Sequence, residues 1–347
     1  MNTTTGYRAT TTGGPLERWR FERRELRDDD LAVRVTHCGV CHTDLHALNA
    51  PADTPGAFPL VPGHEFVGEV TAVGPAVTRF TVGDPVAVGN IVDSCGVCDP
   101  CRAGQQNFCR EFPTLTYGGA DRRDGSPTYG AFADSYVVGE SFAYHRPRGL
   151  DPAGVAPLMC AGITVWEPLR RWGIGPGSTV GVVGLGGLGH LAVKLAHALG
   201  ADVTVFTTSS AKAQNAHRLG ADQVVLSSDD AAMGAVAHRF DLVLDCVPVA
   251  HDLSPYLRTV AMDGTLCSVG YLGAVEVDTL DLLVGRKSLA SAGSGGHRYT
   301  QDLLDFCGEH GIVADVEVLP SAQVMTALER LAHNDVRYRF VLDLSDL

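Results

Sequence analysis

The stretch VGVVGLGGLGHLAVKLA at residues 180–196 begins as an apolar, Val-rich run, breaks at closely spaced glycines and resumes with helix-forming residues. Gly184, Gly186 and Gly189 stand in it as G-x-G-x-x-G between a strand and a helix. That spacing permits a tight turn and lets backbone N–H groups approach a pyrophosphate at a helix N-terminus. The motif alone is a weak sign, since a Gly-rich turn also occurs in doubly wound folds that hold no ligand. Its place between strand and helix favours the dinucleotide reading. Downstream the alternation continues: a helical KLAHALG (194–200), DVTVF (202–206), KAQNAHRLG (212–220), QVVL (223–226), FDLVLDCV (240–247) and GTLCSVG (264–270). Strand-helix alternation of this kind predicts a parallel, doubly wound sheet.

Upstream of about residue 160 the pattern differs. Short β-rich segments such as LAVRV (31–35), EFVGEVTAVG (65–74) and DPVAVG (84–89) are punctuated by Gly, Pro and Asp, which reads as a β-rich domain. A late helix, TQDLLDFCGEHG (300–311), leads to a terminal strand, RYRFVLDL (337–344). A length of 347 residues suggests two domains with a cleft between them. With 45% hydrophobic and 19% charged residues the chain can bury a sizeable core. A formal charge of −13 and the lack of any basic run argue against a nucleic-acid partner. Neither a long apolar span nor a secretory pattern stands out, so no membrane partner and a cytoplasmic location are expected.

The end of DVTVF bears on the choice of dinucleotide. NAD-preferring sites place an acid there, on the ribose hydroxyls. Here the strand runs into Thr207, Thr208, Ser209 and Ser210, with Lys212 following. Hydroxyls and a cation suit a 2′-phosphate, so NADP(H) is favoured. The plainer alternative is that Ser209 caps the next helix and Lys212 is solvated.

Ten cysteines in an apparently intracellular chain point to metal ligands or reduced core residues rather than disulfides. CGVCDPCRAGQQNFC (95–109) sets Cys95, Cys98, Cys101 and Cys109 as C-x2-C-x2-C-x7-C. Four thiolates so close can wrap one tetrahedral zinc, and with every position filled by sulfur the site is structural. An iron–sulfur cluster and loose surface thiols are the alternatives; zinc is preferred because dense exposed thiols are a liability. A second set is scattered: Cys41 in CGVCHTDLH (38–46), His64 and Glu65 in PGHE (62–65), and Cys160 in APLMCAGIT (156–164). Taken singly each has a dull reading as a core or loop residue, and spacing does not assemble them.

CGVCHTDLH, GHE, GDPV (83–86), the four-cysteine run and GLGGLG, in that order and over nearly the whole chain, together resemble the zinc-dependent medium-chain dehydrogenase/reductase (alcohol dehydrogenase) superfamily. Within it, VDSCGVC (92–98), APLMCAGIT, VGVVGLGGLGH (180–190) and NDVRYRFV (334–341) are most similar to the cinnamyl alcohol dehydrogenase branch and its bacterial NADPH-dependent aldehyde reductase relatives. The resemblance implies an α/β chain with a GroES-like catalytic domain (1–160 and 297–347) around a Rossmann NADP-binding domain (161–296), two zincs per chain, and a homodimer. It makes Cys41, His64 and Cys160 the catalytic zinc ligands, with Glu65 able to join them and Cys38 excluded. Thr43 would hydrogen-bond the substrate oxygen, His46 would connect it through the cofactor ribose to solvent, and Asp44 would orient His64. Gly184, Gly186, Gly187, Leu188, Gly189, Thr207 to Ser210, Lys212, Val269, Gly270 and Arg337 would touch the cofactor.

The chain departs from that family in two places. SAGSGGH (291–297) stands where most relatives read approximately GSLIGGI, and Trp166 and Glu167 stand where Tyr and Ser are commoner. Both put the cinnamyl substrate in doubt. Reduction of an aromatic or allylic aldehyde is the leading expectation. Reduction of an iminium or conjugated double bond is the second, disfavoured by the Thr43–His46 pair, and a non-catalytic NADPH- or zinc-binding protein is the third, disfavoured by the full ligand set.

Overall fold

In the computed structural model, which describes residues 3–347 apart from 52, 55, 56 and 271, the glycine-rich stretch lies at the centre of a six-stranded sheet. Its strands run in the order Gln223–Leu226, Asp202–Thr207, Thr179–Val183, Phe240–Asp245, Val260–Ser268, Ser288–Ser291, and every pairing is parallel. The first of these strands in sequence is third in space, so the order reverses beside it. A doubly wound sheet opens a ligand crevice at that reversal, at the carboxyl ends of the strands. Covered on both faces, the central strands are apolar without alternation: Val180, Val182, Val203, Val205, Leu242, Val243 and Leu244 have no exposed surface.

The chain forms two compact units, Met1–Cys160 with Gly295–Leu347, and Ala161–Ser294. The sheet of the first unit runs Val316–Pro320, Arg339–Asp343, Asp30–Val40, Phe66–Val73, Pro85–Val88, Ala143–His145, with Ser135–Gly139 also on Asp30–Val40. The C-terminal strand is antiparallel to Asp30–Val40, pairing Phe340 with Val40 and Leu342 with Cys38. Alternate residues of these strands, among them Leu31, Val33, Val35, Phe66, Val86, Val88, Phe340 and Leu342, make its core.

Several elements differ in extent from the sequence expectation. The strand at LAVRV continues to Val40, delivering the chain directly to Cys41. The helix after the glycines starts at Gly189, and the one read over 212–220 is a 3-10 turn, Ser210–Lys212, followed by Ala213–Leu219. The late helix starts earlier, at His297, and ends at His310 before left-handed Gly311. Helix Ala161–Arg171 escaped the sequence reading because residues 161–169 are all buried, which removes the polar face that marks a helix. Among the described residues, no helix is long and apolar enough to cross a membrane.

Candidate active site and metal centres

Three segments far apart in sequence meet in the first unit. Strand Asp30–Val40 ends at Cys41, which opens the helix His42–Leu48. The loop before Phe66–Val73 brings His64, and a 3-10 turn, Ala156–Met159, ends on Cys160. The Cys41 and Cys160 Sγ atoms are 4.0 Å apart and His64 Nε2 is 3.3 Å from Cys160 Sγ. Ligands 2.3 Å from a tetrahedral zinc would place two sulfurs about 3.8 Å apart, so the donors fit a zinc ion between them.

The imidazole is fixed from behind. Asp44 Oδ1 lies 3.1 Å from His64 Nδ1, and the same carboxylate accepts from the backbone N–H groups of Cys41 (2.9 Å) and Gly63 (3.1 Å). Since the carboxylate only accepts, Nδ1 carries the proton and Nε2 presents its lone pair to the two sulfurs. Burial would push the His64 imidazole down, but Asp44 outweighs it and pushes it up. Asp44, fully buried, thus ties the His64 ring to the backbone at Cys41 and Gly63. The paired thiols split, Cys41 falling because the Cys160 thiol hydrogen-bonds it while Cys160 rises. Thr43 is exposed with Oγ1 3.7 Å from Cys41 Sγ, and His46 is exposed in the last turn of the same short helix.

Glu65, expected as an occasional fourth ligand, is not in this cluster. Its buried carboxylate pairs with Arg339, itself only 3% exposed, whose other guanidinium nitrogen is 3.9 Å from Cys41 Sγ. Burial lifts the Glu65 carboxyl to about 7 against the pull of Arg339. Gly39 completes the fit: a Cβ there would fall 2.2 Å from Glu65 Oε1. Sequence reasoning named Arg337, which is exposed, and passed over Arg339. The available signal was a cation opening the strand RFVLD directly before its apolar FVL.

The second cluster is local. The sulfurs of Cys95, Cys98, Cys101 and Cys109 lie within 4.8 Å of one another, with Cys95 and Cys101 3.9 Å apart. Peptide N–H groups of Cys95 and Cys98 point at the sulfurs of Cys109 and Cys95, each at 3.4 Å. Those of Arg110 and Cys101 bring the half-buried Cys98 thiol down to about 6, toward the thiolate that binds a metal. Gln106, between the third and fourth cysteines, bonds the Cys101 carbonyl (3.2 Å), His297 Nδ1 (3.1 Å) and the His297 N–H (2.9 Å).

The glycine turn of the second unit has the form its spacing predicts. Gly184 lies in the left-handed region (φ +85), and a Cβ at Gly189 would fall 1.9 Å from the Gly184 carbonyl, so the close helix approach requires glycine. Nothing lies within 4 Å of a Cβ at Gly186. Packing does not demand glycine there, whereas a ligand drawn against the backbone would. Gly187 and Leu188 are half-buried on the same turn, and Val269 and Gly270 follow strand Val260–Ser268. At the end of Asp202–Thr207, Thr207 is buried and its hydroxyl accepts from the Ser209 N–H at 3.2 Å, which leaves its O–H as a donor. Thr208, Ser210 and Lys212 are exposed, Ser209 is half-buried, and the Ser209 side chain caps no helix.

Comparison with known proteins agrees with this architecture. Residues 27–148 match the "Alcohol dehydrogenase GroES-like domain" family and residues 187–309 match "Zinc-binding dehydrogenase". The chain is 45% identical over 335 residues to a probable formaldehyde dehydrogenase of Bacillus subtilis, covering 96% of this chain and 95% of that one.

The chain belongs to the zinc-binding alcohol dehydrogenase family.

An NADP-dependent alcohol dehydrogenase of Mycolicibacterium smegmatis is 42% identical to this dehydrogenase over 349 residues, covering 100% of this chain and 99% of that one. The structure of a cinnamyl alcohol dehydrogenase from Sorghum bicolor superposes with a TM-score of 0.93 at 43% identity, covering 99% and 98%. Both ligand clusters lie wholly in the unit that holds the GroES-like match. As a family member the chain is an oxidoreductase acting on an alcohol/aldehyde pair.

Proposed function

We propose that this dehydrogenase reduces aromatic or allylic aldehydes to primary alcohols with NADPH, using one catalytic and one structural zinc. The observation that carries the reading is the three-donor cluster of Cys41, His64 and Cys160, which leaves a fourth position free, beside a Thr hydroxyl. Cys41, His64 and Cys160 would hold the catalytic ion, and Cys95, Cys98, Cys101 and Cys109 the structural one. Bound zinc supplies Lewis acidity toward the substrate oxygen, and NADPH supplies the hydride.

The chain's own residues do the rest. Asp44 holds the His64 ring so that Nε2 faces the metal position. Arg339 holds Glu65 back, keeping a reserve carboxylate beside the cluster without filling it. Thr43 donates a proton to the substrate oxygen and His46 refills it from solvent, which supports carbonyl reduction over the iminium or alkene reading. Gly184 to Gly189, Val269 and Gly270 cradle the dinucleotide, Ser209, Ser210 and Lys212 receive its 2′-phosphate, and Arg337 is assigned to the pyrophosphate. The name of the Mycolicibacterium relative supports NADP. On this reading residues 1–160 and 295–347 form the catalytic domain, two residues longer at the return than the sequence suggests, and 161–294 the NADP-binding domain.

A homodimer and a cytoplasmic setting complete the proposal. Exposed Met262, Leu280, Leu283, Val284 and Leu289 surround the free sheet edge at Ser288–Ser291, a surface suited to a second copy. Free thiol ligands require a reducing compartment. Steady NADPH consumption with an aldehyde panel tests the function. Turnover of cinnamaldehyde- or benzaldehyde-type substrates supports it, and turnover confined to iminium or alkene substrates overturns it.

A further inference from the structure

The loop that follows strand Phe240–Asp245 leaves the sheet where its order reverses, next to the glycine turn, because Asp245 pairs in register with Val183. Its packing against that turn is close. A Cβ at Gly184 would lie 2.9 Å from Val247 Cγ2, and a Cβ at Gly270 would lie 2.6 Å from the Val247 carbonyl oxygen. Val247 thus wedges between both glycine turns, and any shift of its loop moves the walls of the crevice.

Two polar side chains hold that loop, and neither belongs to a recognised motif. Asp245 is fully buried; its Oδ1 accepts from the Val247 N–H at 3.2 Å and lies 3.5 Å from His251 Nε2. His251 Nδ1 lies 2.9 Å from the Val249 carbonyl, and its ring meets Tyr256 edge-on at 5.8 Å. Tyr256 meets Phe206 of strand Asp202–Thr207 edge-on at 5.6 Å, which ties the arrangement into the core. A carbonyl oxygen can only accept, so Nδ1 carries a hydrogen. The Asp245 and His251 side chains thus each hold one point of the loop, at Val247 and at Val249, and approach each other to 3.5 Å.

We propose that Asp245 and His251 are positioning residues for the dinucleotide, a two-point staple that sets Val247 against Gly184 and Gly270 and so holds the crevice in its binding shape. The inference rests on the NADP(H) reading above. Its partners are on the page at every step: the carboxylate reaches the loop at Val247, the imidazole reaches it at Val249, and the two meet each other.

The test is NADPH affinity, read by the fluorescence of the reduced nicotinamide in the absence of any aldehyde, on the native enzyme and on Asp245→Asn, His251→Gln and the double variant. Asp245→Asn keeps the shape and the contact to Val247, and His251→Gln replaces a partly solvated ring, so both are expected to fold with near-native melting temperatures. Each is expected to weaken NADPH about tenfold, raising KM for NADPH more than it lowers kcat. The double variant is expected to bind no worse than either single one, because both remove one shared element. Single variants that bind NADPH as tightly as the native enzyme, or losses that multiply in the double variant, overturn the staple. A native enzyme that fails to bind NADPH while binding NADH faults the cofactor reading itself, independently of the variants.

Discussion

The two cysteine clusters place similar donors at similar separations, yet the chain builds them in opposite ways. Cys95 to Cys109 occupy fifteen consecutive residues held by turns, and the lobe around them leaves Val97 and Phe112 more than 60% exposed. Cys41, His64 and Cys160 come from three separate segments and sit on a sheet whose core is complete without them. A ligand set inside a lobe with no core of its own must do the work of a core. One assembled on a finished scaffold is free to leave a position open for chemistry. The comparison supports the proposed division, folding for the first cluster and turnover for the second.

The largest expected effect breaks the closed cluster. Cys98→Ser should reduce the yield of soluble, folded protein at least about tenfold, because metal binding there is part of folding. Soluble, fully active Cys98→Ser protein would count against the structural role. On the open side, Thr43→Val should lower kcat for aldehyde reduction by about a hundredfold, within the usual range for a positioned proton donor, with zinc content and NADPH binding retained. His46→Gln should cost less, since water can replace the outer member of a relay. Turnover close to native in Thr43→Val with both metals in place would remove Thr43 from the mechanism.

How far each region could be read in advance follows from the same contrast. The four-cysteine loop and the glycine turn are local patterns, and Gly184, Gly189 and the four sulfurs stand where their spacing places them. The parallel sheet was equally legible, because strands buried on both faces are written as continuous apolar runs such as VVG and LVLD. The meeting of Cys41 with Cys160 was not, since it depends on strand register across more than a hundred residues and only the family resemblance supplied it. Arg339 was hidden for a related reason. Its burial and its partner Glu65 are set by the pairing of Phe340 with Val40, which places a C-terminal cation beside Cys41 at the end of strand Asp30–Val40.

Smaller effects sharpen the account. Ser209→Asp, at a half-buried position without a capping duty, should weaken NADPH about tenfold and shift preference toward NADH, as the ratio of kcat/KM values will report. Equal efficiency of the native enzyme with both cofactors would contradict this use of Ser209, Ser210 and Lys212. His297, clamped by Gln106 to the closed cluster, gives a pH signature. Burial pushes its imidazole down to about 4 from an ordinary 6.5. The unfolded chain then takes up the proton first as pH falls, so stability is full above about 6.5, declines between 6.5 and 4, and levels off below. Allowing for its partial exposure the loss is on the order of 2 kcal/mol. Melting curves of His297→Ile should lack this component relative to the native protein, and an identical pH profile in the two would remove His297 from it.

The most direct test of the division between the clusters is zinc content and turnover measured together on native protein and on Cys160→Ser. Two zincs per native chain are expected, and Cys160→Ser should keep one zinc and a near-native melting temperature while losing essentially all aldehyde reduction. Native protein that carries iron or a single zinc at full occupancy, or Cys160→Ser that turns over aldehyde at the native rate, would contradict it.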